Sequence, residues 1–562
     1  MELVGKHPNA DAIGRRQARR PARYGSRPVD YPVETFSAQE RAVLAPHVTN
    51  LDEPVFALVN LPETVKGALF ARYSRYQGTL RRLFLDEFAE SLPSVGAGVA
   101  WDGDEGRRAA GLYERIFVGY GDDSVAQLGG AHIACEWVSN VLTKVLQRPR
   151  LGAYLEQSTR YIRYDGPMPG GGYRYYRDAE LGPRYEAAMD RLFGTYAAAL
   201  PQVSAWVEST FPAPAGGSDS AHRRAVEAKA LDLLRGLLPA ASLSHMGIFA
   251  TGQTYEQLIL HLMAHPLPEA RDYGAMLLGT MKAVMPSFVA RVERPERGGE
   301  WVTFLERRER AARAWAGRLG LDRQPGDDGH GGPSVTLLHV DGSEEDLLAA
   351  LLFEQTAASE RVTRQRVGEL GAEQRAALLA DLVGERANRR HRPGRGFEAL
   401  RYRFEIVSDY GAFRDLQRHR MLTVQWQTLG PQLGAGVPDE VDAAGAGDEY
   451  RRALEISQAE WERLASAGHE REALYALCLG YRIRYVLDCN AREAMQLIEL
   501  RSGREGHPSY RAVAHEMHRC IAAVHPAVAA TMTHVDDTAE PRLERILSEM
   551  RTQAKLDALG AR

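Results

Sequence analysis

Cysteine is scarce in this chain, with four in 562 residues, and no two of them form a C-x-x-C pair. Cys135, Cys478, Cys489 and Cys520 therefore suggest neither a disulfide framework nor a zinc site, and reduced packing residues are expected. Long apolar runs are also absent, so no membrane span is read. The amino-terminal stretch MELVGKHPNADAIGRRQARRPARYGSRP is basic but lacks an apolar segment, which argues against a secretory signal. A cytoplasmic location is the expectation. Nor is there a surplus of positive charge: 70 Lys and Arg against 74 Asp and Glu give a formal charge of −4. That excludes a global pull toward nucleic acid or an anionic membrane. Any anionic ligand must be held by a local cluster of arginines. No G-x-x-x-x-G-K-[ST] string occurs, and the glycine-rich pieces at 94–98 and 170–172 lack a strand–G-x-G-x-x-G–helix context.

What is present is too long for one ordinary core. Residues 1–52 are expected to be a basic, largely disordered extension in which Arg15, Arg16, Arg19 and Arg20 are solvated. A first domain is placed at 53–318 and a second at 336–562, joined by a linker at 319–335 rich in turn-formers and acidic residues. Loops are expected at 212–220 and 433–448. Helical patterns dominate, with strand candidates at 335–340 (VTLLHV) and 402–407 (YRFEIV), where Tyr402, Phe404 and Ile406 alternate with Arg403 and Glu405. The expected class is α+β, with a small sheet flanked by long helices in each half and the halves packed as a pseudo-dimer. An internal repeat supports two halves: 141–150 (VLTKVLQRPR) and 411–420 (GAFRDLQRHR) both end in Leu-Gln-Arg-x-Arg, 270 residues apart.

Three clusters carry chemistry. In 148–161 (RPRLGAYLEQSTRY), Arg148 and Arg150 precede Glu156, Ser158 and Arg160, whose alternate spacing puts all three on one side of an extended segment. A carboxylate, a hydroxyl and a guanidinium together suit a polar ring edge and a phosphate; a charged surface loop explains the string equally well. In 418–430 (RHRMLTVQWQTLG), Arg418, His419 and Arg420 form a compact cationic group, the bland alternative being a solvated helix end. In 490–501 (NAREAMQLIELR), Asn490 and Arg501 fall on nearly one line of a helix, roughly 16 Å apart, with Arg492 between them.

These strings resemble the flavin-dependent thymidylate synthases, whose signature is Arg-His-Arg, seven residues, then Ser, usually within Glu-x-Ser-x-Arg-Tyr. The first copy has Arg148-Pro149-Arg150 and then Glu156, Ser158, Arg160 and Tyr161 in register; the second has Arg418-His419-Arg420 and then Thr428. The family's Asn-x-Arg helix, with a further Arg after eight residues, is matched by Asn490, Arg492 and Arg501. Phe397-Glu398 resembles its Pro-Phe-Glu-His element, with different flanks.

Each copy departs from the pattern in a different place. Pro149 stands for the signature histidine, and Thr251, Gln253 and Leu262 stand where the Asn-x-Arg helix is expected in the first half. In the second half Trp426, Thr428 and Gly430 stand for the Glu, Ser and Arg. The resemblance thus implies one composite site built from complementary halves. Arg418, His419, Arg420, Asn490 and Arg492, with Arg148 and Arg150, would hold FAD. Glu156, Ser158, Arg160 and Arg235 would hold deoxyuridylate or a related uridine nucleotide, and Arg501 would polarise the pyrimidine. The implied reaction is reductive methylation of deoxyuridylate to thymidylate with methylenetetrahydrofolate and NADPH, with no metal, nucleic acid or membrane involved. A homodimer forming a pseudo-tetramer is the implied assembly. The competing accounts are a catalytically silent nucleotide or flavin binder acting through partners, and a helical scaffold with surface arginines. His515 and His518 are three apart rather than the four of H-E-x-x-H, and His261 and His265 share one helix face, so all four are set aside as surface residues.

Overall fold

The computed structural model describes residues 13–18, 29–61, 63–89, 126–127, 129–168, 171–214, 218–321, 332–538 and 542–560. The expectations for Arg19 and Arg20, for the glycines at 94–98 and for most of the linker lie outside these residues. Two short strands, β1 (Ile13–Ala18) and β2 (Val29–Glu34), pair antiparallel. Ser37 then caps the helix Ala38–Leu44 in a reciprocal box with Glu40. Ordered structure therefore begins ahead of Glu53. Its anchors, Tyr31, Phe36, Leu44 and Val48, are buried but too widely spaced to make a periodic pattern.

The chain forms two compact units. Unit 1 comprises Met1–Leu200, Leu237–Pro325 and Glu449–Cys478; unit 2 comprises Pro201–Gly236, Gly326–Asp448 and Leu479–Arg562. Each unit therefore includes a segment from the other half of the sequence. Unit 1 holds β3 (Val55–Ala57), β4 (Gly130–Ser139), β5 (Gly152–Glu156) and β6 (Leu243–Thr251), in the order β3-β4-β6-β5. Unit 2 holds β7 (Ser334–Asp341), β8 (Arg401–Asp409), β9 (Leu422–Trp426) and β10 (Arg482–Asn490), in the order β7-β8-β10-β9. Both sheets are antiparallel throughout.

The same elements recur around both sheets. The helices Asn140–Leu146 and Tyr410–Leu416 follow the second strand of each sheet, with N-caps Ser139 and Asp409. Thr251 and Asn490 cap the helices Gly252–Met263 and Ala491–Arg501 through their side-chain oxygens. The helices Pro268–Val284 and Pro508–Val524 both start with proline, whose missing N–H costs nothing in a first turn. The first copy is longer between its third and fourth strands, where it has the helices Gly182–Thr210 and Asp219–Leu234 against Gly447–Ser466 in the second.

The expected alternation in β8 holds: Tyr402, Phe404 and Ile406 are each 0% exposed, which is worth about 1.5–3 kcal/mol per side chain. The opposite face carries charge, with Arg401 and Arg403 on Asp488 at 2.5 and 3.0 Å.

Candidate functional site

In unit 2 the helix Tyr410–Leu416 buries Ala412, Phe413 and Leu416, which fixes how the chain leaves its end. His419 turns inward at 9% exposure, while Arg418 and Arg420 stay exposed. His419 Nδ1 lies 2.9 Å from Glu493 Oε1. Arg501 Nε donates to His419 Nε2 at 3.2 Å. Since arginine only donates, Nε2 accepts and the ring proton sits on Nδ1, facing the carboxylate. Burial pushes the His419 pKa down, the Glu493 hydrogen bond opposes this, and Arg501 and Arg418 push it further down; the net shift is downward. The imidazole is neutral with both nitrogens engaged, so it positions Arg501 and is not available as a proton carrier. Residues from the Arg-His-Arg string and the Asn-x-Arg helix are thereby joined.

Arg235 belongs to the same unit. Its Nη1 lies 3.3 Å from Asp415 Oδ2 and its Nη2 lies 3.9 Å from Asp409 Oδ1. Arg418 Nη2 lies 3.0 Å from Asp415 Oδ1, so this carboxylate bridges two guanidinium groups. Burial disfavours the charge on Arg501, while nearby Asp415 favours it and Arg418 opposes it. Arg235 is 4% exposed, and its Nε and Nη2 have no hydrogen-bond partner among the described residues. Buried donors left open in this way suit an anion. Arg501 ends its helix, where the dipole favours a cation. Asn490 spends its carbonyl oxygen on capping Glu493 N, which leaves its amide group to donate. Arg492 Nε donates to Pro393 O at 3.0 Å, and its Nη1 lies 3.7 Å from Glu398, in the segment carrying Phe397.

In unit 1, Arg148 and Arg150 are exposed on either side of Pro149, beyond the helix Asn140–Leu146. Glu156 closes β5 and is buried, with Lys144 Nζ at 2.8 Å and Gln147 Nε2 at 3.1 Å from its Oε2. The extended alternation expected through 160 stops here. Ser158 O accepts from Tyr161 N and Ile162 N, so 158–161 turns; Arg160 N donates to Ser158 Oγ at 3.3 Å. Ser158 and Arg160 share this turn, whereas Glu156 points into the Lys144 pair.

Sequence reasoning passed over Asp415, Glu493 and Lys144. Each left a trace: Asp415 stands three before Arg418, Glu493 follows Arg492, and Lys144 interrupts an apolar helix face twelve residues before Glu156. Among the described residues no group of three or more His, Cys, Asp and Glu is placed to hold a metal. His515 and His518 have their Nε2 atoms on the backbone oxygens of Asp536 and Ala529. All four cysteines are unpaired; burial pushes the Cys478 thiol up to about 12. Among the described residues no helix is long and apolar enough to cross a membrane.

Comparison with known proteins agrees with this duplicated build. The family model described as thymidylate synthase complementing protein matches residues 86–287 and 337–527. A UPF0159 protein of Chlamydia muridarum is 36% identical over 537 residues, covering 92% of this chain and 99% of its own. The UPF0159 protein Ta1429 of Thermoplasma acidophilum is 30% identical over 521 residues, covering 87% of this chain and 99% of its own. A solved UMP/dUMP methylase PolB from Streptomyces cacaoi, bound with 5-Br dUMP, matches at 18% identity and a TM-score of 0.30, covering 37% of this chain and 98% of that one; at that score the likeness carries no weight. With both halves matched, each built on the same four-stranded sheet, the chain belongs to the thymidylate synthase complementing protein family and carries its domain twice.

Proposed function

We propose that this protein is a flavin-dependent methyltransferase of the thymidylate synthase type, converting deoxyuridylate to thymidylate with methylenetetrahydrofolate and NADPH. The observation that carries the proposal is the cationic cluster of unit 2, where Arg235 keeps two buried donor atoms without a partner beside Arg418 and Arg501. Such a donor set fits phosphate, which accepts planar, charge-assisted hydrogen bonds from arginine. It equally fits the electron-rich edge of a flavin ring.

When bound, FAD would carry hydride from NADPH toward the pyrimidine, and that electron chemistry belongs to the cofactor. The residues bind and orient. Arg235 takes the nucleotide phosphate, and Ser158 and Arg160, which carry the family motif, are nucleotide-binding residues. Glu156, tied to Lys144, fixes the strand end from which that motif leaves. Arg418, His419, Arg420, Asn490 and Arg492 serve the flavin, with Arg148 and Arg150 in the same role. Arg501, held by His419, stabilises negative charge on the pyrimidine, whose C5 supplies the electron pair for the bond to the one-carbon unit. No cysteine nucleophile is required.

The test is tritium release from C5-labelled deoxyuridylate by the purified full chain supplied with FAD, NADPH and methylenetetrahydrofolate. Release dependent on all three supports the proposal. Flavin and nucleotide uptake without release identifies a silent binder. Absence of flavin uptake on titration removes both.

A further inference from the structure

Unit 1 contains a second polar cluster, buried, that the proposed chemistry does not use. It is built on an irregularity in β4. The β4–β6 register shifts between Cys135 and Val138, whereas β8 and β10 pair without a shift. The bulge is therefore a feature of the first copy. Trp137 sits in it with φ 58°, in the left-handed region that a bulky side chain rarely adopts. Its N–H donates to His245 Nδ1 at 3.1 Å. The His245 proton is thereby placed on Nε2, and that atom is buried with no partner among the described residues. The ring is 0% exposed, stacked on Tyr73 at 5.4 Å and edge-on to Trp137 at 4.5 Å. Burial, then Arg174 and Arg81, hold its pKa well below the ordinary value, so it is neutral.

Two guanidinium groups lie beside it. Arg81, 4% exposed, gives Nη2 to Glu136 at 3.0 Å and leaves Nε and Nη1 without a partner. Arg174, 8% exposed, gives Nη2 to Gln157 Oε1 and leaves Nε without one. It lies over the Trp137 and Tyr164 rings at 5.1 and 5.5 Å. The buried carboxylate of Glu136 already accepts from Leu80 N at 2.7 Å and Tyr73 Oη at 3.2 Å, besides Arg81. Arg82, paired with Glu34 and Glu40, adjoins these groups, so the linked set holds three arginines against three carboxylates, and it is the open donors rather than a net charge that remain unmet. Each open buried donor is expensive.

We propose that these donors enclose a small monovalent anion of the halide or nitrate class. Such an ion accepts from the open donors of Arg81, Arg174 and His245 while bringing less buried charge than a phosphate dianion. Aromatic faces of Tyr73, Trp137 and Tyr164 wall the group and suit a weakly hydrated ion better than a bulky one. The site would brace Gln157, which precedes Ser158, from beneath.

The test uses the full chain at fixed ionic strength in sodium gluconate, an anion too large for the cluster. Replacing gluconate by chloride or bromide is expected to raise the melting temperature saturably, by about 3 °C. Crystals grown in sodium bromide are expected to show an anomalous peak within hydrogen-bond reach of Arg81, Arg174 and His245. Arg174→Met, which removes a cation and one of the open donors, is expected to abolish the halide shift. The bromide map of the unmutated protein decides the matter if that variant does not fold. An adventitious ion only, meaning a peak with no saturable shift, overturns the proposal. So does a side chain of the protein itself filling the position, or no peak at all.

Discussion

Replacing Lys144 by methionine tests whether the strand end before Ser158 is held by a buried ion pair. Lys144 Nζ lies 2.8 Å from Glu156 Oε2 and 3.0 Å from Gln147 Oε1, and both charged side chains are 1% exposed. Methionine fills a similar volume, so the loss is chiefly the counter-charge. Removing one partner of a buried pair costs about 3–5 kcal/mol, because the other charge is left uncompensated. Protonation sets a ceiling on that loss. Neutralising an ordinary carboxylate at pH 7 costs roughly 4 kcal/mol, and each pH unit changes this by about 1.4 kcal/mol. The destabilisation should therefore approach 4 kcal/mol at pH 7 and shrink to about 1 kcal/mol at pH 5. The sign follows from proton count: the folded variant keeps a proton that its unfolded chain releases, so the variant loses stability as pH rises. Lys144→Met with Glu156→Gln removes both charges and should recover most of the loss. Urea unfolding followed by tryptophan fluorescence at pH 5, 6, 7 and 8 measures all three proteins. A single variant within about 1 kcal/mol of the parent at pH 7, a loss that ignores pH, or a double variant no better than the single one would refute the reasoning.

Three further outcomes are expected. Glu269 is buried with Ser139 N, Ser139 Oγ and Tyr475 Oη around its carboxylate, and burial pushes its pKa up to about 7. The stability it contributes is complete below the ordinary carboxylate value and is lost as pH rises through about 7. Glu269→Gln should therefore raise the melting temperature at pH 8 and not at pH 4.5; equal changes at both values would contradict this. Arg501→Ala and Arg160→Ala should each abolish tritium release while Thr428→Ala changes it little, and a large loss at Thr428 with none at Arg160 would overturn the assignment of roles. Arg235→Met should weaken deoxyuridylate binding by calorimetry about 10–100-fold, the worth of one or two charged hydrogen bonds. Its stability should fall less than that of Lys144→Met, because Asp415 keeps Arg418 as a counter-charge; unchanged affinity would remove Arg235 from the site.

Much of this arrangement of strands and helices is legible in the sequence because its elements are short and strongly patterned. The alternation of Tyr402, Phe404 and Ile406 announces β8, and the shared Leu-Gln-Arg-x-Arg string announces the duplication. Asn490 at a cap and Arg501 one helix length later follow from spacing alone. The misses have physical causes. Periodicity assigns Ser158 and Arg160 to a strand, but two backbone hydrogen bonds to Ser158 O turn the chain there. Glu156 looks like a ligand because a lone carboxylate in a motif looks available; its buried partner Lys144 is hidden inside an apolar helix pattern. The Trp137 bulge is a one-residue slip in pairing that no single-strand pattern encodes.

Comparing the two copies position by position shows what duplication kept. In unit 1 the cap Ser139 donates its hydroxyl to Glu269, the second residue of the following long helix, at 2.6 Å. In unit 2 the cap is Asp409, and Ser509, again second in its helix, donates to it. Hydroxyl and carboxylate have exchanged places while the bond survives. A site under the same constraint should show similar compensation, and the cluster around His419 does not. At the repeat offsets, Pro149, Thr254, Leu262 and Leu474 stand where unit 2 has His419, Glu493, Arg501 and Arg235. Thr254 Oγ1 donates to Leu151 O, a bond that only supports the loop. Packing bonds were conserved by trading chemistry, whereas of the charged set unit 1 keeps only Arg148, at the position of Arg418. That contrast argues that the charges of unit 2 serve a ligand rather than the fold, since a fold that needed them would need them twice.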